Sequence, residues 1–274
     1  MNRSYLFIPG DVPRMVQTLD VFESDAVILD FEDAVAYQQK DEARYLTKSF
    51  LKTFSFKSPD IYIRINAHTD KALFEADLEI IKTLNIKGIM LPKTSLAALD
   101  AFTRYMKNEK TLEVIGLIET PESFFELQEI AKHEVISALC LGAEDLSKTL
   151  SLKRTTSGDE ILYARSQIVF AAKSYHKLAI DTPFVAIHDF DGLKQDCLKA
   201  SQLGFDGKAA IHPNHVDLIN QIFSPSEDEI LEAKRIIKAS EKLNTTRFSL
   251  DGKMVDKPII DRAKALIDKA SRIK

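Results

Sequence analysis

Short apolar runs punctuate this chain at nearly even spacing, and most end on a polar or charged residue. Tyr5-Leu6-Phe7-Ile8 stops at Pro9-Gly10, Ala26-Val27-Ile28-Leu29 at Asp30, Ile61-Tyr62-Ile63 at Arg64 and Asn66, and Gly88-Ile89-Met90-Leu91 at Pro92-Lys93. Val114-Ile115-Gly116-Leu117-Ile118 ends on Glu119, followed by Thr120-Pro121. Ala138-Leu139-Cys140-Leu141 runs through Gly142-Ala143-Glu144 to Asp145. Leu178-Ala179-Ile180 reaches Asp181, and Gly207-Lys208-Ala209-Ala210-Ile211 is stopped by His212-Pro213. Runs of this length without polar alternation predict strands buried on both faces.

Between them the apolar spacing becomes helical. It predicts helices over 13–24, 35–54, 70–84, 95–107, 122–133, 159–175 and 189–203. Thr120 and Pro121 read as the N-cap and first position of one of these. Eight strand–helix alternations predict parallel βαβ units closing into a (β/α)8 TIM barrel. A doubly wound sheet is the rival, but Pro9-Gly10-Asp11 is not the glycine-rich turn that fold uses for a dinucleotide. The division predicted is a catalytic barrel over 1–224 and a C-terminal extension over 225–274. In the extension, 227–243 reads as a helix, 248–255 as a turn between two short strands, and Asp256 with Pro258 as the opening of a last helix. A segment this small is expected to pack as a lid on its own barrel or on a neighbouring subunit.

Composition narrows the picture a little. The 274 residues are 45% hydrophobic and 28% charged, with a net charge of −4 and no basic block, so non-specific nucleic-acid binding is disfavoured. Cys140 and Cys197 have neither metal nor redox spacing. No leader-like N-terminus and no bilayer-spanning run is read, and a cytoplasmic setting is the expectation.

In a closed parallel barrel the strand C-termini converge on one rim, where catalytic groups sit. Here that rim collects Asp30, Glu32, Asp33, Arg64, Asn66, Lys93, Glu119, Glu144, Asp145, Asp181, Lys208 and His212. Neighbouring strands lie about 4.8 Å apart, so Glu119 and Asp145 can converge on one small cation. Mg²⁺ takes one or two protein carboxylates and fills its octahedron with water and substrate oxygens. Arg64 offers a planar fork for a substrate carboxylate. A metal beside an arginine describes a site for an oxo- or hydroxy-acid. Plainer roles exist for each: Glu119 complementing a helix N-terminus, Asp145 and Asp256 as N-caps, Lys93 as a rim salt bridge, and Asp30 with Glu32 as an ion-pair cluster. Asp33 is a candidate acceptor for metal-bound water, and Lys93, after its proline, reads as readily as a ligand at the site as it does as a rim salt bridge. His188, His212 and His215 lack ligand spacing and read as core or loop residues.

Several stretches together form a specific pattern: Arg3-Ser4-Tyr5-Leu6-Phe7-Ile8-Pro9-Gly10, Leu29-Asp30-Phe31-Glu32-Asp33-Ala34-Val35, Arg64-Ile65-Asn66, Leu91-Pro92-Lys93, Ile118-Glu119-Thr120-Pro121, Gly142-Ala143-Glu144-Asp145, Gly204-Phe205-Asp206-Gly207-Lys208 and Asp251-Gly252-Lys253-Met254-Val255-Asp256-Lys257-Pro258. The chain resembles the HpcH/HpaI aldolase/citrate lyase family over essentially its whole length, its citrate lyase β-subunit branch most of all. The resemblance implies a trimeric or hexameric TIM barrel with Mg²⁺ on Glu119 and Asp145. It implies that Arg64, with Glu119 alongside, binds the oxo-acid, and that Asp256 reaches a neighbouring subunit's barrel as the acid/base for the thioester enolate. The implied reaction cleaves a citryl-thioester to oxaloacetate and an acetyl-thioester. The thioester is carried by an acyl-carrier protein or CoA, and the chain would work beside the α and γ subunits of a citrate lyase. Malyl-CoA or citramalyl-CoA lyases and malate-synthase-type condensing enzymes are the alternatives. Asp11 stands where many relatives have Asn, and the 95–111 segment reads as short; both bear on the carrier, because rim loops choose it.

Overall fold

The computed structural model describes every residue except Met1, Ser55, Lys57, Ser58, Asn108, Lys110, Asn244 and Lys274. Asn108 and Lys110, in the segment read as short, thus lie outside the described residues. The chain forms two compact units, Asn2–Asn220 and Gln221–Lys274.

The first unit is a closed eight-stranded parallel barrel, the architecture expected from the alternation. Its strands are β1 (Ser4–Pro9), β2 (Ala26–Asp30), β3 (Asp60–Arg64), β4 (Gly88–Leu91), β5 (Glu113–Ile118), β6 (Ile136–Leu141), β7 (Leu178–Asp181) and β8 (Gly207–Ala210). Each pairs with the next, and β1 closes on β8 through Ser4, Tyr5 and Leu6 opposite Lys208, Ala209 and Ala210. The connecting helices are α1 (Pro13–Gln17), α2 (Lys40–Thr53), α3 (Lys71–Lys82), α4 (Leu96–Tyr105), α5 (Pro121–Phe125), α6 (Leu127–Lys132), α7 (Ala143–Thr149), α8 (Leu162–Ser174) and α9 (Phe190–Leu203). The division between the units falls within α10 (Val216–Phe223).

The barrel interior is built on a period of two. Tyr5, Ala26, Ile28, Tyr62, Met90, Ile115, Leu117, Ala138, Cys140, Ile180 and Ala209 form one buried cluster, with Phe7 packed against it. The alternate positions, among them Leu6, Val27, Leu29, Ile63, Ile89 and Leu139, are also fully buried; they face the helix layer. Both faces being covered explains why the strands read as unbroken apolar runs. Each large aliphatic side chain buried this way contributes about 1.5–3 kcal/mol.

Three expectations need adjusting. The helix expected over 13–24 ends at Gln17 and is followed by a separate 3-10 turn at Leu19–Phe22, and the helix expected over 122–133 is divided into α5 and α6. Asp145 is not the end of a strand: β6 stops at Leu141, and Asp145 lies in the first turn of α7. The apolar run conceals this change because Ala143 and Leu146 are buried on the inner side of that helix.

In the second unit α11 (Glu227–Leu243) precedes an antiparallel hairpin of β9 (Phe248–Leu250) and β10 (Lys253–Val255), and α12 (Lys257–Arg272) closes the chain. Asp251 and Gly252, both with positive φ, make the hairpin turn. Among the described residues no helix is long and apolar enough to cross a membrane.

Candidate active site at the barrel mouth

The period-two rule that fills the barrel also aims residues at its mouth. Counting on by twos from the interior side chains gives Asp30 after Ile28, Arg64 after Tyr62, Glu119 after Leu117, Gly142 after Cys140 and Thr182 after Ile180. All of these line one cavity of about 320 Å³, together with Phe7, Pro9, Cys140 and Asp145. The structure therefore brings together five of the rim candidates, Asp30, Arg64, Glu119, Glu144 and Asp145.

Arg64 is held before any ligand arrives. Its Nε donates to Asp30 Oδ1 at 2.7 Å and its Nη2 to Asp30 Oδ2 at 2.5 Å. Asp30 is itself fixed by the backbone N–H groups of Glu32 and Ala34. The guanidinium lies 5.1 Å over the Phe7 ring, a stacking contact that favours Arg over Lys. Burial opposes its charge, but Asp30, Glu32 and Asp33 hold its pKa above the ordinary arginine value. Asp30 occupies only the Nε/Nη2 edge. Glu32 Oε2 approaches Nη1 at 3.2 Å yet makes no hydrogen bond. The Nη1/Nη2 edge is thus the one that can take a carboxylate.

Glu119 is 2% exposed. The β4–α4 turn supplies its donor: the Lys93 backbone N–H reaches Glu119 Oε1 at 2.8 Å, with Lys93 at φ +45°. Burial first, then the negative charge of Glu32, push the Glu119 carboxyl up to about 8; the Lys93 N–H and Arg64 oppose this, and Asp145 adds to it. Gly142 is required beside it, because an ideal Cβ there would fall 2.5 Å from Glu119 Cβ and 2.8 Å from Oε2.

The remaining candidates lie around this core. Lys93 Nζ pairs with Glu32 at 2.9 Å, as a rim salt bridge, and burial raises the Glu32 pKa against the pull of Arg64 and Lys93. Asp33 is mostly exposed and stands 3.9 Å from Arg64 Nη1. Glu144 pairs outward with Arg154. Asp256 belongs to the second unit, where its side chain accepts from the Ile259 N–H at 3.3 Å and caps α12.

Three residues expected on the rim serve elsewhere. Asn66 donates from its backbone and side chain to Asp77, which also binds Arg44. Asp181 and Lys208 are fully buried in a network with Arg165 and Asp196. The reason is parity: Lys208 precedes the interior Ala209 and Asp181 follows the interior Ile180, so both face the helix layer. Sequence reasoning missed Phe7, Gly142 and Thr182. The alternation from Tyr5, Cys140 and Ile180 was the signal that could have found them.

The donor set fits a small divalent cation. Five carboxylates (Asp30, Glu32, Asp33, Glu119 and Asp145) surround two cations, Arg64 and Lys93. Neither Glu119 nor Asp145 has an ion-pair partner among the described residues. Mg²⁺ takes one or two protein carboxylates and completes its shell with water and substrate oxygens, so a pair such as Glu119 and Asp145 is enough for it.

Comparison with known proteins agrees with this architecture. The HpcH/HpaI aldolase/citrate lyase family model matches residues 3–213. Citrate lyase subunit beta of Leuconostoc mesenteroides subsp. cremoris is 32% identical over 284 residues, covering 99% of this chain and 94% of its own. The mitochondrial citramalyl-CoA lyase of Rattus norvegicus is 28% identical, over 100% of this chain and 87% of its own. The crystal structure of protein CitE from Mycobacterium tuberculosis in complex with magnesium, acetoacetate and coenzyme A superposes with a TM-score of 0.83 at 30% identity, covering 99% and 98% of the two chains.

Proposed function

The chain belongs to the HpcH/HpaI aldolase/citrate lyase family, and from that premise we propose that it is a Mg²⁺-dependent carbon–carbon lyase. Its substrate in this reading is a 3-hydroxy-3-carboxyacyl thioester, citryl-acyl-carrier-protein first, cleaved to oxaloacetate and the acetyl-thioester. The observation that carries the proposal is the convergence of Arg64, Glu119 and Asp145 on one cavity at the mouth of a closed barrel.

Each residue then has a task its surroundings suit. Glu119 and Asp145 hold the metal, which when bound supplies Lewis acidity to the hydroxyl that becomes the ketone. Arg64, braced by Asp30 and Phe7, presents its Nη1/Nη2 edge to the carboxylate of the oxo-acid half and fixes its orientation. Lys93 and Glu32 brace the Glu119 side of the mouth, and Asp33 accepts from water near the metal. Asp256, reaching the barrel of a neighbouring copy in a trimer or hexamer, returns a proton to the enolate carbon of the departing thioester. In this reading 225–274 is the lid that delivers it. The protein would be cytoplasmic and work beside the α and γ subunits of a citrate lyase.

A second reading has support of its own. The similarity to citramalyl-CoA lyase, and to a CitE structure containing coenzyme A, favours a stand-alone lyase for CoA thioesters. A panel of citryl, malyl and citramalyl thioesters, each on carrier protein and on CoA, assayed for oxo-acid release with Mg²⁺, separates the two. The first reading expects citryl-carrier to turn over best. Preference for a CoA ester selects the second, and no release from any member overturns both.

A further inference from the structure

The position of Asp145 depends on a residue two strands away from Glu119. Gly142 is the N-cap of α7 and makes no side-chain cap. It cannot carry one, because Glu119 occupies the space a Cβ would need. The first amide of the helix is satisfied from outside: the Ala143 N–H donates to Thr182 Oγ1 at 3.2 Å. Thr182 is 1% exposed and follows β7. Its own carbonyl accepts from Lys208 Nζ at 2.6 Å. Lys208 also binds Asp181 and Asp196, each at 2.6 Å, and Arg165 bridges the same two carboxylates. A buried ionic cluster in the helix layer therefore anchors Thr182, and Thr182 anchors the turn that carries Asp145.

We propose that Thr182 is a positioning residue for the metal pair, holding the first amide of α7 in a turn that has no side-chain cap and so setting Asp145 against Glu119. The proposal rests on the reading of Glu119 and Asp145 as the metal ligands. Glu119 needs glycine at the N-cap, so the second and third amides of α7 get no side-chain cap, and a threonine hydroxyl at the inward position after β7 holds the turn through its first amide instead. Loss of that acceptor frees the first turn of α7 to shift, and Asp145 lies two residues beyond the amide concerned. Changes in residues that orient metal ligands weaken metal binding by about 10- to 100-fold.

The test is Mn²⁺ binding to the full chain by calorimetry, with no thioester present. Thr182→Val, which keeps the branched shape and removes the acceptor, is expected to weaken binding by at least about tenfold. Thr182→Ser, which keeps the hydroxyl, is expected to bind as wild type does. Added to Asp145→Asn, where residual binding rests on Glu119, Thr182→Val is expected to cost nothing more, an outcome that general loosening of the barrel would not give. Where Thr182→Val does not fold, Thr182→Ala removes the same acceptor and takes its place. Wild-type binding in the valine and alanine variants, with Asp145→Asn weakened, overturns the positioning role and leaves the metal pair standing. Wild-type protein that binds no Mn²⁺, or Asp145→Asn that binds like wild type, overturns the metal pair and Thr182's role with it.

Discussion

Glu119 and Gly142 share a space that only one of them can fill: an ideal Cβ on Gly142 falls 2.5 Å from Glu119 Cβ. Gly142 has φ −98°, a conformation open to any residue, so the glycine is there for its neighbour and not for its backbone. Gly142→Ala should displace the Glu119 carboxylate while leaving the fold intact. A loss of about 10²–10³-fold in kcat/KM is expected, with the folded state destabilised by about 1–3 kcal/mol through overpacking. Steady-state kinetics and a melting curve on the same preparation check both halves.

Asp30 acts through Arg64. It holds two of the five guanidinium donors and leaves the other edge, which the proposed function gives to substrate. Asp30→Asn should free the guanidinium and weaken oxo-acid binding, with a rise in KM and a fall in kcat of about 10–100-fold combined. Arg64→Lys, which loses both the fork and the stack on Phe7, should be worse. Direct titration of oxo-acid binding in the two variants ranks them.

The network around Asp196 makes a prediction about acid stability. Burial raises its pKa, but Lys208 and Arg165 outweigh that and hold it below the ordinary aspartate value. A carboxylate whose folded pKa lies below its unfolded one contributes stability above the unfolded pKa, and the contribution is lost as pH falls through the folded value. Asp196→Asn should therefore flatten the acid limb of the stability curve. At neutral pH it should cost about 3–5 kcal/mol, because it leaves two buried cations with one carboxylate between them. Urea unfolding as a function of pH measures both effects.

Cys140 lines the cavity, yet burial holds its thiol pKa well above the usual range, so it stays neutral and unreactive. Native protein should resist iodoacetamide at this position, and Cys140→Ser should keep most of its activity. Mass spectrometry of alkylated native protein, beside the kinetics of the variant, gives the answer.

The barrel is legible because the alternation of apolar runs and helical spacing repeats eight times and most runs end on a polar residue. The membership of the rim was only partly legible. In strands buried on both faces, apolar character no longer reports which side a residue faces. The sequence pattern alone therefore groups Asp181 and Lys208 with Glu119, although parity turns them to the helix layer. The same ambiguity hid Asp145's place on a helix, since Ala143 and Leu146 prolong the apolar pattern. Arg64, Glu119 and Asp145 could be picked out because each is charged beside an apolar run. Phe7, Gly142 and Thr182 could not, since an apolar, a small and a neutral polar residue are unremarked in such a context.

The central claim is that Glu119 and Asp145 make this barrel a metal-dependent lyase. It is tested most directly by following oxo-acid release from citryl-thioester across a Mg²⁺ titration in wild type and in Glu119→Gln. The account predicts that release in wild type requires Mg²⁺ and stops with chelator, and that Glu119→Gln loses at least about 10²-fold at every Mg²⁺ concentration. Release that is indifferent to chelator, or a Glu119→Gln variant with wild-type turnover, would contradict it.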